Sequence, residues 1–100
     1  MTSVATLDSI RCDSLTPGSV VDVETRSRSY HVEVAEKECR ISGHPDYCPD
    51  PVPTHIQGSI ANSGEMAPGV IKSGMRLVFT GTDDRVVTTS EITAIRISHN

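Results

Sequence analysis

An all-β fold is predicted, a single small β-barrel of about six to seven short strands, SH3-like or closely related. Polar and apolar residues alternate with a period of two in one short stretch after another. Aromatic residues are scarce, one Phe and two Tyr with no Trp, so the 36% hydrophobic fraction is mainly aliphatic. Its Val and Ile side chains, branched at Cβ, lose less freedom on a pleated sheet than in a helix. No run of about eleven residues keeps a helical period, which excludes a bundle or a doubly wound fold.

The elements follow in order. Within residues 1–14, Ile10 and Cys12 fit a strand that closes the barrel, while Val4, Leu7 and Ile10 would also fit a short helix; the strand is preferred. The barrel domain proper is assigned to residues 15–98. Thr16-Pro17-Gly18 signals a turn, after which Val21 and Val23 alternate with Asp22 and Glu24 as a half-buried strand. Tyr30, Val32 and Val34 alternate with Ser29, His31 and Glu33 in the same way, and Cys39 and Ile41 flank Arg40 in a third, shorter strand. Over residues 54–60, Ile56 and Ile60 are expected on one face, with His55, Gln57 and Ser59 on the other. Met75, Leu77 and Phe79 alternate with Arg76, Val78 and Thr80, the clearest strand pattern in the chain. Gly81-Thr82-Asp83-Asp84 supplies a hairpin turn into the run from Arg85 to Thr89. Ser90-Glu91-Ile92-Thr93 reads as one 3₁₀ turn capped by the Ser90 hydroxyl, placed just before a last strand around Ile95 and Ile97. A tight turn in that place is what suggests the SH3-like arrangement, a likeness of fold that carries no function.

At 100 residues the chain has room for one core and needs neither metal nor disulfide to fold. The net charge is −4, from nine Lys plus Arg against thirteen Asp plus Glu. Binders of single-stranded nucleic acid combine a basic groove with aromatic stacking platforms, so charge and composition argue against nucleic acid as a partner. No apolar run is long enough to span a bilayer. The first residues lack the cationic and apolar regions of a secretory signal, and three cysteines, an odd number, suit a reducing compartment. A cytoplasmic location is expected.

The run Leu15-Thr16-Pro17-Gly18-Ser19-Val20-Val21-Asp22-Val23-Glu24-Thr25, then Ser29-Tyr30, then Gly74-Met75-Arg76-Leu77-Val78-Phe79, and finally Val87-Thr88-Thr89-Ser90 with Ile92 and Ile95, resembles small uncharacterised bacterial all-β proteins. The resemblance covers most of residues 15–97 and implies a bacterial, cytoplasmic origin with no known activity.

Four groups of residues carry functional chemistry. Cys39, His44, Cys48 and His55 are zinc-ligand types, but their spacings are irregular and no Cys-x-x-Cys knuckle is present. Cys39 is in phase with Ile41 and should face the barrel, whereas His55 is out of phase with Ile56 and should face outward. No metal and no cofactor is therefore expected. A thiol or metal-dependent enzyme centred on His44, Cys48 and His55, or a nucleophile at Cys48 or Ser90, is the rival reading. It rests on closeness in sequence, and catalytic groups are recognised by geometry. The glycine-bearing stretch 58–64 could form an anion nest, yet it lacks the lysine and helix of a phosphate loop. Arg26, Arg28 and Arg40 either receive an acidic partner or balance the glutamates of neighbouring strands. The preferred reading is a non-catalytic binding or accessory module. Its two Pro/Gly-rich loops, 43–53 and 61–69, would meet a protein partner or a small ligand, with His44, Asp46, Tyr47 and His55 as the contact residues.

Overall fold

The computed structural model describes residues 3–36, 38–43, 50–80 and 85–99. Among them the chain forms ten strands: β1 Ser3–Leu7, β2 Ser9–Arg11, β3 Ser19–Thr25, β4 Ser29–Val34, β5 Cys39–Ser42, β6 Val52–Ile60, β7 Met66–Pro68, β8 Val70–Lys72, β9 Arg76–Thr80 and β10 Val86–His99. A single 3₁₀ turn, Cys12–Ser14, separates β2 from β3. The predicted hairpin turn at residues 81–84 lies outside the described residues.

Six of the strands close into an antiparallel barrel in the order β3-β4-β5-β6-β9-β10 and back to β3. Closure leaves the ring no free sheet edge along most of its length, which is how a small β domain avoids edge-to-edge association. β1 is the extra strand: it runs beside the C-terminal half of β10, with Leu7 opposite Ile95. β2 pairs instead with β8, Ile10 opposite Ile71, and this small sheet lays Ile10, Cys12 and Leu15 against the core.

Alternation decides the interior. Val21, Val23, Val32, Ile41, Leu77, Phe79 and Ile95 are fully buried, and Tyr30 and Ile92 nearly so. Their partners on the outer wall carry the charge, for example Asp22, Glu24, Glu33 and Arg40. Phe79, the largest fully buried side chain, meets Tyr30 edge to face with ring centroids 5.7 Å apart. Edge-to-face contact sets the positive rim of one ring against the negative face of the other.

Three predicted details are corrected. The stretch 61–69, read as a loop, holds β7 at Met66–Pro68, because its backbone finds a partner edge on β6. Ser59 does not face out with His55 and Gln57: it is fully buried, and its hydroxyl donates to the Val70 carbonyl at 2.7 Å. The register against β9 slips between Ile56 and Gly58, so one extra residue on β6 reverses the phase. Gly58 makes the slip: at φ +140 it brings its backbone so close to Ala67 and Gly69 that any Cβ would collide with the Ala67 carbonyl oxygen. Nor do Ser90, Glu91, Ile92 and Thr93 form a 3₁₀ turn; they belong to β10, at the irregularity where it passes from β9 to β3. Partners distant in sequence displace the local cap. The Ser90 hydroxyl accepts from the Ser27 amide at 3.1 Å, and the Glu91 carbonyl accepts from the Arg26 amide at 3.0 Å.

Phe79→Ala should cost about 3–5 kcal/mol in a denaturant titration, because it empties the middle of the core and removes the ring against which Tyr30 packs. A loss under about 1 kcal/mol would contradict the packing. Gly58→Ala should lower the melting temperature measured by calorimetry, with about 1–3 kcal/mol from the backbone conformation and more from the collision with Ala67.

Candidate functional site

Of the residues nominated from sequence, His44, Asp46, Tyr47 and Cys48 lie outside the described residues. His55 sits on β6, exposed, opposite Thr80 of β9. Cys39 opens β5 opposite Thr54 and is half-buried against the core.

Cys39 and His55 share a cavity of about 460 Å³, and a third residue, Cys12, faces it with them. Sequence reasoning passed over Cys12 because its neighbours there come from β5 and β6. The hydrogen bond from its amide to the Gly69 carbonyl, 2.8 Å, brings the 3₁₀ turn beside β6, since Gly69 is itself bonded to Gln57. Both cysteines are free thiols. Burial pushes the Cys12 thiol above its ordinary pKa, with smaller contributions from Cys39 and Asp13, and burial alone pushes up Cys39. These thiols are therefore protonated at neutral pH, the opposite of what a nucleophile needs. Among the described residues no three His, Cys, Asp or Glu side chains converge as metal ligands.

A second constellation comes from register. Asp22 of β3, His31 of β4 and Ser42 of β5 stand side by side on the outer wall. His31 Nδ1 lies 2.8 Å from Asp22 Oδ1, and its Nε2 is 4.0 Å from Glu33 Oε1. The sequence shows these residues nine or more positions apart, so only strand pairing reveals the row. The imidazole is held in place, but His31 is 45% and Asp22 48% exposed, so water reaches the pair and weakens its electrostatics.

A third feature is an opening in the barrel wall. β10 pairs with β9 from Val86 to Thr88, and β3 joins its opposite edge only from Ile92 onward. The β3–β4 turn stops there, bonded through the Arg26 and Ser27 amides to Glu91 and Ser90. Beyond it, residues 86–90 face Ser27, Arg28 and Tyr30 across a cavity of about 280 Å³. In an antiparallel strand alternate residues turn their N–H and C=O groups to opposite edges. About half of the backbone groups over residues 86–89 thus point into this opening.

No protein-family model, no curated protein and no solved structure matches the chain. No helix among the described residues is long and apolar enough to cross a membrane.

The raised thiol pKa values give a sign. Once pH passes the ordinary thiol value of about 8.5, the unfolded chain releases protons that the folded chain retains, so stability should fall. The melting temperature should drop between about pH 8 and pH 10. The drop should be shallower in Cys12→Ala/Cys39→Ala than in the parent; equal slopes would contradict the burial of the two thiols.

Proposed function

We propose that this protein is a non-catalytic binding module that receives its ligand at the opening beside β10. The observation that supports this most is the interrupted pairing: among the described residues of an otherwise closed ring, 86–89 have a strand neighbour on one edge only. Unpaired backbone donors and acceptors at a strand edge form a ready template for another extended chain. The adjoining cavity gives that chain a polar floor and wall.

Gly43, the first residue of the 43–53 stretch, lies beside this opening, against Tyr30 of its wall. Gly43 adopts φ +122 and lies so tightly against Ser29 and Tyr30 that a side chain there would strike the Ser29 carbonyl oxygen. On this reading His44, Asp46 and Tyr47 act as loop contacts for the ligand, and His55 belongs to the separate thiol-lined cavity. The rival enzyme reading has less support: of His44, Cys48 and His55, only His55 lies within the described residues, exposed on β6.

Titration of ¹⁵N-labelled protein with short extended peptides tests the proposal. Amide shift changes should cluster at residues 86–90 and 27–30, and His44→Ala, Asp46→Ala or Tyr47→Ala should weaken the binding. Shift changes gathered around Cys12, Cys39 and His55 would move the site to the other cavity. Turnover of an ester or peptide substrate by purified protein, lost on Cys48→Ser, would favour the enzyme instead.

A further inference from the structure

We propose that the occupant of this opening is an extended segment of a partner protein that carries an acidic side chain, added as a strand to residues 86–89 and anchored by Arg28. The inference rests on the binding reading above and names the chemistry of the partner.

Charge selects the occupant. Arg11 pairs with Asp13, Arg26 with Glu91, Arg40 with Glu38 and Arg96 with Glu24. Among the described residues Arg28 has neither an ion pair nor a side-chain hydrogen bond, yet it is half-buried on the wall of the cavity. A guanidinium is never discharged at ordinary pH and presents a planar fork of donors that fits a carboxylate. Arg26, its neighbour on the same turn, is already paired with Glu91 at 3.5 Å, so it is Arg28 whose charge faces the cavity.

Geometry selects an extended chain. The edge over residues 86–89 is about 13 Å long at ~3.3 Å per residue, enough to register some four residues of an added strand. Val86 is 55% exposed and Thr88 is also exposed, while Val87 and Thr89 are buried, so side chains on alternate positions of an incoming strand would find Val86 and Thr88 beside them.

The carboxylate is assigned to a side chain, since capture of a chain terminus generally uses a nest of free backbone amides. The amides of the adjacent turn are committed: Arg26 N donates to the Glu91 carbonyl, Ser27 N to the Ser90 hydroxyl, and Arg28 N to the Thr25 hydroxyl at 3.2 Å. The cation that is left is a long side chain, suited to a carboxylate projecting sideways from a paired strand.

Fluorescence anisotropy tests the inference with a fluorescein-labelled Thr-Val-Glu-Val-Thr peptide amide and its Gln, Lys and backbone N-methylated analogues. The Glu peptide should bind about tenfold or more tightly than the Gln peptide, the Lys peptide more weakly still, and N-methylation should abolish binding. Arg28→Gln should erase the preference for Glu without lowering the melting temperature, and Arg28→Lys should restore part of it. Equal binding of Glu and Gln peptides to the parent protein would overturn the acidic partner while leaving the strand-edge reading intact. Failure of every peptide to bind would overturn both. Equally tight binding of a peptide whose sole acid is its C-terminal carboxylate would overturn the assignment to a side chain.

Discussion

Everything in this barrel depends on how one strand, β10, is shared. Its fourteen residues pair first with β9, then with β3 and, along the other edge, with β1. A closed ring needs each strand to hand its edges to two neighbours, because a backbone group left without a partner away from water costs as much as a lost hydrogen bond. β10 meets that demand by changing partners midway, with register irregularities around residues 88–94. The bend lets a single strand serve both halves of the barrel. It also means that the two sets of partners do not overlap along its first residues, and the wall opens there.

The same constraint explains the packing around the opening. The Arg26 and Ser27 amides of the β3–β4 turn are spent on closing the ring against Glu91 and Ser90, and Tyr30 and Phe79 fill the interior just inside. The Thr25 hydroxyl ties the turn to itself by donating to the Arg28 carbonyl at 2.6 Å while accepting from the Arg28 amide. The backbone at Arg28 is thus fixed, while its side chain has no partner among the described residues. A rigidly mounted, uncompensated cation beside an unpaired strand edge is the pairing of features on which the proposed recognition of an acidic strand is built.

The other polar clusters show why proximity alone does not make a reactive site. Cys12 and Cys39 come together on one cavity wall, yet burial holds both in the thiol form. Asp22, His31 and Ser42 line up across three strands, yet on an outer wall where water screens the imidazole and the carboxylate. Arg96 and Glu24 pair on the same wall at 2.9 Å, as opposite charges on neighbouring strands do wherever a sheet faces solvent.

The alternation of Val21 with Val23, of Tyr30 with Val32, and of Leu77 with Phe79 was legible in the sequence because the two-residue period is a property of each extended segment by itself. It determined the fold class, the six strands of the ring and most of the core, but not β1, β7 or β8, whose short segments are strands only through their partners. The phase of β6 was not legible: a period-two reading carries no sign of an inserted residue, and only the close passage of Gly58 against Ala67 and Gly69 places Ser59 inside. The turn expected at Ser90 failed for a related reason, since its hydroxyl found the Ser27 amide 63 residues away instead of capping its own backbone. In the candidate site, the sequence listed Arg26, Arg28 and Arg40 as equals. Ring closure set Arg26 beside Glu91 and Arg40 beside Glu38, and it left Arg28 at the opening. Side-chain periodicity is local and can be read along the chain, whereas the edge and the charge that stay unpaired are what remains after every distant partner has been chosen.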